Sequence, residues 1–140
     1  MLITIPCRVR LADTDAAGVV YFAHLLHICH IAYEEALLQC GINLHNYLQA
    51  GTIAIPIVHG EIDCFHPVTW GDLVLIALTP QLLSETHLTI DYELTPENDR
   101  AKLLARGQTQ HISIDPQTRQ RVPLPHEIRE KFIGANQLRE

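Results

Sequence analysis

The pattern that most limits what this chain can fold into runs from Phe22 to Cys40. At about 100° per residue, Phe22, Leu25, Leu26, Cys29, Ala32, Tyr33, Ala36, Leu37 and Cys40 fall on one side of a helix. His24, His27, His30, Glu34 and Glu35 fall on the other. An apolar stripe that wide has to lie against something large and apolar. Gly41 supplies the stop, because glycine takes the left-handed conformation without a Cβ clash. Two acids, Asp13 and Asp15, stand ahead of the helix and are followed by the small-residue turn Ala16-Ala17-Gly18.

A carboxylate near a helix N-terminus has two readings. An Asp before an apolar periodic run commonly caps the helix. The distance from Asp15 to Phe22 weighs against that, since a capping carboxylate reaches only about two or three residues on. In the other reading Asp15 stays free at the mouth of the helix, whose unpaired N–H groups can hold an oxyanion. Asp13 then reads as a structural acid of the turn.

The remainder of the chain is rich in strand patterns. Leu2–Leu11 alternates in part and predicts a first strand. Asn43–Ala50 predicts a short second helix closed by Gly51, and Thr52–His66 a long strand. Pro67–Asp72 predicts a turn. Leu73–Leu83 is a strongly apolar strand in which Pro80 points to an edge or a bulge. Thr86–Leu94 sets Leu88, Ile90, Tyr92 and Leu94 on one face and His87, Thr89, Asp91 and Glu93 on the other. A connection at 96–99 leads into a strand over Ala101–Ile114, with a bulge expected at Gly107. His126–Ile133 predicts a terminal helix, and the chain from Gly134 onward is expected to fray. One long helix and about five strands make an α+β pattern in one domain. The order of the strands does not follow from the sequence.

Composition sets the outer bounds. Of 140 residues 47% are hydrophobic and 19% charged, which suits a packed globular domain. The net charge of −6 with ten Lys and Arg argues against nucleic acid as the main partner. No apolar run approaches the roughly eighteen residues that a membrane span needs. MLITIPCRVR lacks the basic-then-apolar plan of a secretory leader, so a cytoplasmic location is expected. Cys7, Cys29, Cys40 and Cys64 are widely spaced and read as reduced thiols, with nothing around them that suggests a lowered pKa.

Several constellations invite a sharper reading. His24, His27 and His30 recur every third residue, but together they spread over about 120° of the helix and no H-E-x-x-H accompanies them. A polar helix face is expected, with no metal. His24 differs in lying in the first turn, beside the proposed site. Ile31 and Leu38 fall among the polar residues two turns apart, which suits either ordinary exposure or a subunit contact. In His59-Gly60-Glu61, Gly60 permits close approach of a ligand, while His59 and Glu61 share the other face of a strand. A polar edge strand is the alternative. There is no G-x-S-x-G, no P-loop and no G-x-G-x-x-G, so neither a serine triad nor a nucleotide cofactor is called for.

Arg8-Val9, Thr14-Asp15, Gly18-Val19-Val20 and Phe22 together resemble the signature of the 4-hydroxybenzoyl-CoA thioesterase family, whose members are hotdog-fold acyl-CoA hydrolases. Leu25 departs from it, standing where the signature usually has an aromatic residue. Within the family the chain is most similar to the branch that hydrolyses 1,4-dihydroxy-2-naphthoyl-CoA in phylloquinone and menaquinone synthesis. That likeness includes His24 and the stretch IPIVHGEIDCFHPVTWGD from Ile55 to Asp72. The resemblance implies a single hotdog domain over 1–140, with one long central helix wrapped by a curved antiparallel sheet. It also implies that Asp15 is the catalytic acid, acting as nucleophile or general base, with the thioester carbonyl on the backbone N–H at about Phe22. Substrate contacts are expected from Val20, Tyr21, His24, His59 and Gly60. Such domains pair edge to edge into a continuous sheet with sites at the interface, so a homodimer assembling to a homotetramer is expected. Other aromatic or short-chain acyl-CoAs, a dehydratase, or a non-catalytic acyl-CoA-binding module are the alternatives, because the fold alone fixes none of them.

Overall fold

In the computed structural model, which describes residues 2–134, five strands form one antiparallel sheet. They are β1 (Ile3–Arg8), β2 (Ile57–Cys64), β3 (Leu73–Ser84), β4 (His87–Pro96) and β5 (Ala105–Ile112). Their order across the sheet is β1-β3-β4-β5-β2, so β1 and β2 are the edges. Two helices, α1 (Phe22–Gln39) and α2 (Leu44–Ala50), lie between β1 and β2 in the chain. The long helix packs against β1, β2 and β3, which is the hotdog arrangement.

The stripe on α1 does what its periodicity requires. Leu25, Cys29, Ala32, Tyr33, Ala36 and Leu37 are buried, joined by Ile28. They meet the inner face of the sheet, where Leu88, Ile90, Tyr92 and Leu94 of β4 are also buried as their alternation predicts. Phe22 is the exception on the stripe, being 55% exposed. Gly41 closes the helix at φ +81°, and Gly51 closes α2 at φ +66°. Asn43 caps α2 by accepting the His45 N–H at 2.9 Å.

The strand boundaries depart from the sequence reading at several points. The first strand ends at Arg8, after which Leu11–Asp13 forms a single 3-10 turn. The second strand begins only at Ile57. The Thr52–Pro56 part makes an isolated bridge instead, in which Ala54 and Ile114 exchange backbone hydrogen bonds. In the last strand, Ala101–Leu104 belongs to the connection, where the Lys102 N–H donates to the Asp99 carbonyl. Gly107 is not a bulge: it pairs in register with both Ile62 and Tyr92. Its need for glycine is steric, since a Cβ there would lie 2.7 Å from Ile62 Cδ1 and 3.0 Å from the Glu61 carbonyl oxygen. The register shifts fall between Ile57 and His59 and between Leu82 and Ser84. Pro80 pairs with Ile90 on one side and lies beyond Leu78, where the pairing with β1 ends, so the proline sits at a locally open edge. The terminal helix is present but winds as a π-turn over Ile128–Ile133. The tail expected to fray lies, beyond Gly134, outside the described residues.

Candidate active site

The two acids ahead of α1 have separate roles, and neither caps that helix. Its N-cap is Tyr21, with no side-chain hydrogen bond. Asp13 is tied down twice: Oδ2 accepts the Arg10 N–H at 2.8 Å, and Oδ1 pairs with His24 Nε2 at 2.9 Å. Burial alone would raise its pKa, but the Arg10 N–H and His24 outweigh that and hold it below the usual carboxylate value. Asp13 is therefore a structural carboxylate.

Asp15 sits at the base of a tight loop. Its Oδ1 accepts the Ala17 N–H at 2.8 Å, and its carbonyl accepts the Gly18 N–H at 3.0 Å. Gly18 has φ +82°, a conformation that side chains with a Cβ resist, so the small-residue turn is required here. The loop is closed by the Asp15 N–H to Val19 carbonyl bond of 2.9 Å and anchored by the Val20 N–H to Val68 carbonyl bond of 2.8 Å. Oδ2 has no hydrogen-bond partner among the described residues. A carboxylate is thus held rigidly by one oxygen while the other faces open space.

Asp15 and the start of α1 line one cleft. The N–H groups of His24 and Leu25 are both directed to the Tyr21 carbonyl, at 2.8 and 3.2 Å. The helix has no acceptor for the N–H groups of Phe22 and Ala23, which remain as donors at its positive end. A cleft of about 480 Å³ opens here. Asp15, Val20, Tyr21, Phe22 and Leu25 line one side, and Cys64, Phe65, His66, Pro67 and Val68 the other. Tyr21, Phe22 and Phe65 are each more than half exposed, an apolar rim around a free carboxylate and free donors.

Of the residues expected at the site, Asp15, Val20, Tyr21 and Phe22 come together. His24 does not line this cleft; it is turned to Asp13 and its ring lies 4.9 Å from that of His27. His59 and Gly60 are on edge strand β2, away from the cleft lining. His59 stands 3.7 Å from Glu61 Oε1, and the missing side chain of Gly60 would point at Leu26, 3.7 Å away. The sequence reading assigned no role to the opposite wall, from Cys64 to Val68. Its signal was present in Phe65-His66-Pro67, an aromatic and a histidine placed between a strand end and a proline. Burial, with Asp63 next, raises the Cys64 thiol above its ordinary value, so it is no ready nucleophile. Among the described residues no group of three or more His, Cys, Asp or Glu is placed to hold a metal ion.

Residues 9–132 match the family model of the thioesterase-like superfamily. This chain belongs to that superfamily. It is 48% identical over 120 residues to the 1,4-dihydroxy-2-naphthoyl-CoA hydrolase of Rippkaea orientalis, a match covering 86% of this chain and 87% of the relative. The enzyme of that name from Crocosphaera subtropica is 46% identical over 129 residues, covering 92% and 93%. Among solved structures, a 1,4-dihydroxy-2-naphthoyl-CoA thioesterase from Synechocystis superposes with a TM-score of 0.91 at 40% identity, covering 97% of this chain and 98% of that one. The thioesterase-like chain thus shares with these relatives its full architecture and not an isolated motif.

Proposed function

We propose that this chain is an acyl-CoA thioesterase that hydrolyses 1,4-dihydroxy-2-naphthoyl-CoA to 1,4-dihydroxy-2-naphthoate and CoA, as the printed names of its relatives say of them. The observation that carries the mechanism is that Asp15, whose Oδ2 has no partner among the described residues, lines one cleft with Phe22 at the start of α1. A thioester carbonyl oxygen resting on the Phe22 and Ala23 N–H groups would have its developing negative charge stabilised in the transition state. Asp15 then attacks the carbonyl carbon, breaking the C–S bond to give an acyl anhydride that water hydrolyses. Alternatively it takes a proton from a water that attacks in its place. In both routes one water is consumed, the carboxylate is regenerated and the sulfur leaves as the thiol of CoA. The geometry serves either route.

A flat, rigid bicyclic acyl group suits the rim of Tyr21, Phe22 and Phe65 over Val20 and Val68, with His66 as a polar neighbour for a ring hydroxyl. The reaction belongs to phylloquinone or menaquinone synthesis if that acyl group is correct. No described helix is long and apolar enough to cross a membrane; that and the free cysteines support a cytoplasmic enzyme. A homodimer through β2, assembling further to a tetramer, is supported by the open edge of that strand. Ile57 and Val58 on it are exposed, as are Ile31 and Leu38 on α1. The test is release of free thiol from a panel of acyl-CoAs. The naphthoyl ester should be hydrolysed with the highest kcat/KM, benzoyl-CoA less well and straight-chain esters least. A straight-chain ester hydrolysed best would overturn the naphthoyl assignment, and no thiol release from any ester would overturn the enzyme itself.

A further inference from the structure

The Asp15 cleft accounts for the acyl end of a CoA thioester and leaves its nucleotide end unplaced. Among the described residues no Lys or Arg lines that cleft, whereas CoA carries three phosphate groups and an adenine. A second cleft of about 600 Å³ opens beside it and shares Pro67 with it. Two cations, Arg8 and Lys102, are in its walls. Between the two lies the turn at residues 69–72: Val68 lines the first cleft, and Gly71 and Asp72 line the second.

This turn is unusually well tied. The Thr69 N–H and hydroxyl both donate to Asp72 Oδ2, at 2.9 and 3.2 Å. The Val9 N–H donates to the Asp72 carbonyl and the Gly71 N–H to the Val9 carbonyl, both at 2.9 Å. Arg8 Nη1 donates to the Gly71 carbonyl at 2.8 Å. On this fixed backbone Trp70, the one tryptophan of the chain, stands 67% exposed. The bonds fix the backbone that carries the indole, and its exposed ring offers a large apolar surface on which a flat ligand can stack.

We propose that Trp70 is the stacking platform for the adenine of CoA, with the phosphates toward Arg8 and Lys102. The proposal rests on the thioesterase reading and extends it to the other end of the substrate. Continuity decides the occupant: a thioester seated at Asp15 leaves its pantetheine arm to pass over Pro67 and Val68, and the next exposed aromatic is Trp70. Charge does not decide it: Asp72, Glu97 and Asp99 in the same walls outnumber Arg8 and Lys102. Asp72 Oδ2 accepts within its own turn and Asp99 Oδ1 accepts the Ala101 N–H at 3.3 Å, so these two acids are held in place by the backbone while the proposal rests on stacking. The turn is anchored to the end of β1, the sheet edge opposite β2, so pairing of two copies through β2 does not require it.

A single tryptophan makes the test direct. Titrating the whole protein with CoA, adenosine 3′,5′-bisphosphate and pantetheine while following tryptophan fluorescence should give saturable quenching by the first two and none by pantetheine. Trp70→Leu, at an exposed position, should raise KM for an acyl-CoA about tenfold with kcat nearly unchanged, the scale of one base–aromatic stack. It should also shrink the advantage of acyl-CoA over the matching acyl-pantetheine by the same factor. Intact acyl-CoA hydrolysis with no quenching, or equal quenching by pantetheine, would overturn the adenine site and leave the thioesterase standing. A fluorescence change that follows protein concentration and ignores CoA would assign Trp70 to a second copy and likewise overturn it. Quenching by CoA without hydrolysis of any thioester would uphold the nucleotide site and sink the reading of the Asp15 cleft.

Discussion

The two ends of the apolar stripe on α1 behave in opposite ways. Under the middle of the helix, the side chains of Leu25, Cys29 and Tyr33 meet a sheet face on which Ile90 and Tyr92 are fully buried. Polar groups there are linked to each other: the Tyr92 hydroxyl meets Thr109 Oγ1 at 2.9 Å, which meets His111 Nε2 at 2.8 Å. At the mouth of the same helix, Phe22 and Tyr21 are exposed, an Asp15 oxygen is free and two backbone donors are unpaired. The interior gains stability by packing and by pairing most of its polar groups, His111 Nδ1 being left without a partner among the described residues. The mouth forgoes such contacts, and that is what leaves it groups able to meet a substrate. Stability and chemistry should therefore respond to different mutations.

The largest effect should come from the interior. Ile90→Ala removes a fully buried side chain and should cost about 2–5 kcal/mol in denaturant unfolding. The folded fraction should keep its kcat/KM; a loss of turnover in proportion to stability would show that the two regions are coupled.

Asp15→Asn should do the reverse. A positioned nucleophile or base contributes at least about 10²-fold, so turnover should fall by that order while the melting temperature hardly moves. Asp13→Asn, which keeps an oxygen for the Arg10 N–H but removes the charge that faces His24, should cost about 1 kcal/mol of stability and leave turnover within severalfold. Equal turnover of the Asp15 variant and the wild type would end the mechanism.

A third test concerns pH. His111 is fully buried, and burial first, then His30 and His87, push its pKa down from 6.5 to about 4. The native state keeps it neutral while the unfolded chain takes a proton, so its contribution to stability is complete above about pH 6.5. That contribution is lost progressively as the pH falls toward 4, by an amount on the order of 1–3 kcal/mol. His111→Gln should flatten the slope of stability against pH in that window, as followed by urea unfolding between pH 4 and 7. An unchanged slope would mean that other groups carry the acid sensitivity.

The smallest effect is expected at β2. His59 is exposed, on an edge strand, and paired loosely with Glu61. Its contact with substrate now depends on a second copy bringing this edge to the cleft. His59→Ala should narrow the preference for naphthoyl over benzoyl esters more than it lowers the overall rate. A change in neither would remove His59 from the site, and a monomer by sedimentation at micromolar concentration would remove the reason to place it there.

Much of this protein was legible in its sequence because local physics dictated it. The 3.6-residue stripe of α1, the alternation of Leu88, Ile90, Tyr92 and Leu94, and the stops at Gly41 and Gly51 depend only on near neighbours. The turn at Asp15 was legible for the same reason, being a few residues long, whereas the catalytic part proposed for Asp15 came from the resemblance and not from spacing. What the chain could not disclose locally was decided by pairing at a distance. Gly107 reads as a bulge in isolation and is a regular strand residue, because Ile62 and Tyr92 on the two neighbouring strands pair with it in register. Thr52–Pro56 has strand residues but makes only an isolated bridge, Ala54 to Ile114, and continuous pairing with β5 begins at Ile57. His24 lies one turn into the helix from the site, yet Asp13, eleven residues back, turns it away. The wall from Cys64 to Val68 is about fifty residues beyond Asp15, and the hydrogen bond from Val20 to Val68, with the pairing of Val19 and Thr69, brings it across the cleft. Periodicity reports which face of an element is apolar; which element that face meets depends on the order of the strands, and that order exists only once the sheet has closed around the helix.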